Sequence, residues 1–250
     1  MNNMYILEKF LFIIITLSLS LSCQKAKDCI SNAGREIVVE YDLEEFDTLI
    51  VNNVFFVSLV QDSMNTIKIM GYEDFVNSTQ FEIRDNCLIL DNCHRCPFLK
   101  PDKNKVSIEL HTNKISRITL NEASEVKCLN TLVHENEIGL IVNSKYNEAD
   151  LKLNVKTFYY WNTHLNGGKI LISGIGENIK LWNSSLGSVD ARAFNCQRAF
   201  IWTNSKTDCY INASNSIEAE ILNTGNIFYK GDPIVSVKYG ENAEGSLFEF

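Results

Sequence analysis

The sequence is poor in proline, in basic runs and in histidine, and each shortage excludes a class of protein. Three prolines and twelve glycines among 250 residues exclude a collagen-like or low-complexity chain. The net charge is −8 without any cluster of Lys and Arg, so the chain lacks the basic surface that binds nucleic acid. The four histidines stand apart, without an HExxH motif or a motif-level nucleophile. We therefore expect no catalytic site, no metal and no cofactor.

The chain also lacks an apolar run long enough to cross a membrane. Its longest run, FLFIIITLSLSLS at residues 10–22, falls short of the roughly 20 residues of a spanning helix but suits the core of a signal peptide. The run ends in SLSC, which resembles a bacterial lipobox. We predict a signal peptide at residues 1–22, a lipidated Cys23 and a linker at residues 23–40. The predicted location is the cell envelope, lipid-anchored at the outer membrane, with the side it faces undecided; ordinary cleavage and secretion is the alternative.

Seven cysteines follow the predicted lipidation site, and an odd number leaves at least one unpaired in an exported chain. The candidates for a structural disulfide are Cys29, Cys87, Cys93 and Cys96. The CHRC motif at residues 93–96 could contribute to a zinc site with Cys87, Cys93, His94 and Cys96 as ligands, but no second CxxC pair supports this. Free thiols are the third alternative, and the spacing leaves all three open.

Short strands and polar corners recur about every twenty residues in the second half of the chain. The residues that precede the Asn or Thr corners are Val142, Trp161, Trp182, Trp202 and Leu222. No helical periodicity competes with this pattern after residue 22. We predict an all-β fold, a β-solenoid with rungs of about twenty residues over 41–250. Residues 103–250 form the repeat, and residues 41–102 form an irregular β-meander that caps it.

Side chains alternate between the two sides of a strand, which predicts the orientation of each rung. Because Lys180 should face solvent, Ile179 and Leu181 face inward and Trp182 faces outward. The corner residues that this parity turns inward are Asn143, Asn162, Asn183, Thr203 and Asn223. The residues that it stacks on one outer face, our candidate ligand face, are Tyr159, Trp161, Trp182, Phe200, Trp202 and Leu222. The alternatives are that the N-terminal half covers this face, or that the parity is inverted.

The stretches FDTLIVNNVFFVSLVQD and GNIFYKGDP resemble the head GIN domain found in autotransporter adhesins and related Gram-negative lipoproteins. The likeness covers nearly all of the chain after the signal peptide. It implies a β-solenoid and adhesion, and it brings no catalytic residues with it. The corners differ from the family's Gly-rich SGSGD-like turns, since this chain has NSSLGS and NSKTD instead.

Three classes of function fit these observations. The first is an envelope-anchored binding or adhesion module without catalytic activity, whose partners are the membrane, through its lipid, and a glycan or an envelope protein. The second is a polysaccharide-acting enzyme, for which the charged pairs Asp150/Lys152 and Asp190/Arg192 are the available groups. The third is a scaffold subunit of an envelope assembly. We favour the first, because cross-strand charge pairs are ordinary stabilisers of sheets.

Overall fold

The computed structural model describes residues 32–94, 96–162 and 167–250, and it is a β-solenoid of about six turns. Strands make up 67% of the structure and helices 3%, so the predicted all-β solenoid is confirmed. Cys23 and Cys29 lie outside the described residues. Within the described ranges, no helix has the length and apolar character needed to span a membrane.

Sixteen strands, one short helix and one 3₁₀ turn compose the described chain. The strands are β1 (Glu36–Asp42), β2 (Thr48–Val51), β3 (Phe56–Gln61), β4 (Thr66–Tyr72), β5 (Thr79–Arg84), β6 (Cys87–Asn92), β7 (Ser107–Thr112), β8 (Arg117–Leu120), β9 (Glu125–Cys128), β10 (Leu132–Val142), β11 (Tyr146–Asn162), β12 (Gly167–Ser205), β13 (Cys209–Ile221), β14 (Ile227–Lys230), β15 (Ile234–Tyr239) and β16 (Leu247–Glu249). Helix α1 covers Glu73–Val76, and the 3₁₀ turn covers Pro97–Leu99.

The strands stack in parallel on two faces of the solenoid. The first, which we call the tryptophan face, is built in order from β6, β2, β8, β10, β11, β12, β13 and β15. The second face is built from β7, β3, β9, β11, β12, β13, β14 and β16. The long strands bend at the corners and contribute to both faces, and β12 alone runs for 39 residues.

Alternation along each strand explains why these segments fold in this way. In β11, Leu151, Leu153 and Val155 are buried while Lys152 and Asn154 between them are exposed. The same alternation recurs in β12 and β13, so every rung places its apolar side chains against those of the rungs above and below. The core is therefore one continuous column of aliphatic and aromatic side chains enclosed by the coil.

The two ends of the solenoid differ. At the N-terminal end, β5 pairs antiparallel with β6, and β1, β4 and β7 form a second antiparallel group. Strands β2 and β3 pair in parallel with β8 and β9, so residues 41–102 supply rungs as well as this closing structure. At the other end, β15 and β16 have no partner on their far edges among the described strands. The inward-facing Val235 is consequently 38% exposed, whereas Ile217, beside it in the next rung, is fully buried.

Buried amides stack at the corner that follows the tryptophan face. Asn162, Asn183 and Thr203 point inward and are buried. The Asn162 Nδ2 donates to the Asn183 Oδ1 at 3.0 Å, and the Asn183 Nδ2 donates to the Gly187 carbonyl oxygen at 2.7 Å. Each amide thus forms a hydrogen bond with a polar group of its own rung or of the next one. Polar groups in a buried corner require such partners, because water does not reach them.

The prediction that Asn143 and Asn223 also point inward is wrong. Asn143 is exposed and Asn223 is half-buried. The reason is the register, because Val142 lies opposite Asn162 and takes the inward position in its rung. Asn143 instead belongs to an outer ladder, in which its Nδ2 donates to the Asn121 Oδ1 at 2.8 Å.

Candidate ligand-binding face

All three tryptophans of the chain point outward from the tryptophan face. Trp161 lies directly opposite Trp182 in the parallel register, and Trp182 and Trp202 line one groove. Trp161 is 53% exposed, Trp182 is 40% exposed and Trp202 is half-buried. The residues just before them in sequence, Tyr160, Leu181 and Ile201, are buried in the core. The structure therefore has the orientation that alternation around Lys180 predicts.

A second line of outward side chains runs beside the tryptophans. Tyr159 lies opposite Lys180 on one side and opposite Gly139 on the other. The Tyr159 ring covers Gly139, since a Cβ at residue 139 would come within 1.9 Å of the ring. Because Gly139 has no side chain, the ring can occupy the space above this residue. Burial there raises the pKa of the Tyr159 hydroxyl. Phe200, also predicted for this face, lies in the groove with Trp182.

Leu222 does not belong to the tryptophan column, contrary to our prediction. In the register between β12 and β13, Trp202 lies opposite Glu220, and Thr203 lies opposite Ile221. The physical reason is a pair of irregularities in the register. Between Ala191 and Asn195 the extra residues lie in β12, and after Cys196 a single extra residue lies in β13, which offsets the first only in part. The sequence interval from Trp202 to Glu220, its partner in the next rung, is therefore shorter than the repeat of about twenty residues. Leu222 consequently lies outside the column of tryptophans.

A groove of about 390 Å³ opens where the aromatic side chains meet a polar rim. Phe200 lies opposite Glu218, and Glu220 lies between Trp202 and Lys238 in the register. The residues that line the groove are Leu181, Trp182, Phe200, Ile201, Trp202, Glu218, Ala219, Glu220, Ser236 and Lys238. Across the described part of the chain, the side chains of Glu218, Glu220 and Lys238 make no hydrogen bond or ion pair. These groups are free to bind a ligand.

The predicted cysteine cluster contains both free thiols and a disulfide-bonded cysteine. Cys87 and Cys93 carry free thiols, and Cys96 is disulfide-bonded. The nearby His94 stacks on the Phe75 ring with 4.1 Å between centroids. No group of three or more His, Cys, Asp or Glu side chains within the described ranges is placed to hold a metal ion.

The charged pair Asp190/Arg192 forms a two-pronged ion pair on the second face. The Arg192 Nε donates to the Asp190 Oδ1 at 2.9 Å and the Nη2 donates to the Oδ2 at 2.5 Å. This contact lowers the pKa of the Asp190 carboxyl. Because the carboxylate is already bound to Arg192, it is poorly suited to proton transfer. Asp150, of the other predicted pair, lies opposite Lys127 and Leu171, as an ordinary member of the sheet surface.

An aromatic stack on the second face escaped sequence analysis. Arg192 lies over the Tyr210 ring at 4.7 Å. Tyr210 in turn stacks on Phe228 at 5.1 Å, and Phe228 stacks on Phe248 at 5.5 Å. These residues follow one another at 18 and 20 positions, an interval visible in the sequence once the rungs are in register. The second face thus carries an aromatic column of its own, whose rings are in contact across three successive strands.

Comparison with known proteins identifies the fold and the family. A "putative adhesin" from Bacteroides fragilis NCTC 9343 has a TM-score of 0.76 and 18% identity, with 86% of this chain and 97% of that chain covered. A "putative adhesin" from Parabacteroides merdae ATCC 43184 (TM-score 0.60, 17% identity) and a "putative lipid binding protein" from Parabacteroides distasonis ATCC 8503 (0.62, 14%) each cover 87% of this chain and 97% of their own. No curated protein matches the chain. The family model described as "Putative auto-transporter adhesin, head GIN domain" matches residues 45–233, and the chain therefore belongs to the head GIN domain family.

Proposed function

We propose that this protein is a non-catalytic binding module of the cell envelope, and that it holds its ligand on the tryptophan face. The observation that carries this proposal is the outward column of Trp161, Trp182 and Trp202. Large aromatic side chains are usually buried, and a contiguous exposed apolar patch usually marks a contact site. The naming of the structural neighbours as adhesins is consistent with a binding role.

We also propose that Cys23 carries the lipid that anchors the protein to the outer membrane. The support is the signal-like run that ends at this cysteine. The described chain enters the fold at the closed end, where the Asp74 backbone N–H donates to the Ala33 carbonyl oxygen. A tether preceding residue 32 would therefore hold that end and leave the side of the solenoid open to ligands. Fatty-acid labelling that persists in Cys23→Ala would contradict the anchor.

A polysaccharide-acting enzyme is the second candidate, because the groove holds two free carboxylates beside aromatic rings. Glu218 and Glu220 are two residues apart on the same strand and point to the same side. Glycoside hydrolases need carboxyl groups that flank the scissile bond from two sides. Two carboxylates on one open face would both lie beneath a bound chain, so this geometry favours binding over cleavage.

The test is a binding assay of the full protein on purified polysaccharides and on envelope preparations. We expect the double variant Trp182→Ala/Trp202→Ala to bind at least about tenfold more weakly than wild type, because it removes two of the aromatic side chains that line the groove. The control is Tyr146→Ala, which removes an exposed aromatic side chain from the second face. Equal melting temperatures would show that the variants are folded. Equal binding by wild type and the double variant would refute the proposal, and release of new reducing ends by wild type would favour the enzyme.

A further inference from the structure

Resting on this proposed function, we propose that the ligand of the tryptophan face is an uncharged polysaccharide that runs across the rungs. The first argument is the repeat of the rings. Trp161 and Trp182 are in register on neighbouring rungs, about 4.8 Å apart, and Trp202 continues the row. A row of similar flat surfaces at a fixed spacing suits a ligand that is itself a chain of similar rings. The apolar faces of sugar rings stack on aromatic side chains in this way.

The second argument is the hydrogen-bonding chemistry of the rim. Glu218 and Glu220 can only accept hydrogen bonds when ionised, Lys238 can only donate, and the Ser236 hydroxyl can do both. The three charged side chains are free of partners among the described residues. A ligand that occupies all of these groups must both donate and accept along its length. Sugar hydroxyls do both, whereas an acyl chain does neither.

The third argument is the balance of charge around the rings. The residues that line the groove include two carboxylates, Glu218 and Glu220, and a single ammonium group, Lys238, so an anionic chain would meet repulsion there. An anionic polymer would also be repelled at a distance by the net charge of −8. A neutral ligand avoids both costs, because it requires no buried counter-charge and no removal of an ion from water.

The experiment is calorimetric titration of the full protein with neutral oligosaccharides of two to eight units, drawn from gluco-, manno-, xylo- and galacto-configured chains. We expect at least one series to bind, with an affinity that rises with length and levels off once the tryptophan row is filled. Binding should stay within about twofold between 50 and 500 mM NaCl, since a neutral ligand offers no ionic contact for salt to screen. Glu220→Gln should weaken binding about tenfold, as expected for a hydrogen bond to a charged group, and Tyr146→Ala should leave binding unchanged.

The outcomes separate this inference from the proposed function. If no neutral series binds, but attachment to envelope preparations still requires Trp182 and Trp202, the inference is wrong and the ligand is an envelope protein or another component. Binding of polygalacturonate as tight as that of any neutral chain would overturn the charge argument. If neither oligosaccharides nor envelope preparations bind in a manner that depends on the tryptophans, both proposals fail.

Discussion

Replacing Gly168 with alanine is expected to lower the free energy of unfolding by about 2–5 kcal/mol. Gly168 has φ +115°, a backbone conformation that side-chain-bearing residues rarely adopt. A Cβ there would lie only 1.9 Å from the Asn147 carbonyl oxygen of the neighbouring rung. Because this contact is with backbone, no side-chain rotation can relieve it, and the two rungs would have to separate.

The neighbouring glycine supplies a matched control for this substitution. Gly167 precedes Gly168 in the same strand, but a Cβ there would approach no atom closer than 3.4 Å. Gly167→Ala should therefore change stability by less than about 1 kcal/mol. Urea unfolding followed by far-ultraviolet circular dichroism measures both variants. Equal losses at the two positions would show that the close approach of the rungs is not what requires glycine at residue 168.

Replacing Asn183 with leucine is expected to destabilise the solenoid by about 1–3 kcal/mol. Asn183 is fully buried, and its amide both accepts from the Asn162 Nδ2 and donates to the Gly187 carbonyl oxygen. Leucine fills a similar volume but removes both of these hydrogen bonds from a buried site. The Asn162 Nδ2 then keeps its bond to the Ser184 carbonyl oxygen, and the Gly187 carbonyl oxygen keeps its bond from the Thr207 hydroxyl, so the loss is that of two bonds and not of two unpaired groups.

The control for this corner is Asn204→Leu. Asn204 is exposed, and its Oδ1 accepts from the Asn223 Nδ2 at 3.1 Å. Water can replace that bond, so the variant should lose less than about 0.5 kcal/mol. Thermal and urea unfolding of the two variants give the comparison. A loss at Asn183 no larger than that at Asn204 would mean that the inner ladder contributes little to the corner.

The sequence was sufficient to predict the fold and the orientation of the central rungs. Alternation within a strand depends only on the two-residue period, so fixing Lys180 outward fixed Leu181 inward and Trp182 outward as well. The same reasoning turns Glu218 and Glu220 outward and places Glu220 on the outer face with the aromatic side chains. The alternation within one strand therefore predicts the orientation of its side chains well, because this prediction requires no knowledge of the neighbouring rung.

Register between rungs could not be predicted to the residue, and this explains the errors. We aligned the rungs on their corner residues, but the irregularities between β12 and β13 shorten the interval between these two rungs, so Glu220 and not Leu222 lies beside Trp202. The same difficulty misplaced Asn143, for which Val142 occupies the inward position. Bulges depend on local backbone geometry rather than on a composition signal. The groove could not be predicted without this register, because side chains from β12, β13 and β15 line it together.

The most direct test of the tryptophan face is acrylamide quenching of the protein's intrinsic tryptophan fluorescence. All three tryptophans of the chain belong to this face, so the emission reports on no other part of the molecule. We predict efficient quenching of the free protein, with Trp161 and Trp182 as the accessible fluorophores, and strong protection when the groove is saturated with a neutral oligosaccharide. Quenching of the free protein as weak as that of fully buried tryptophan would contradict the account.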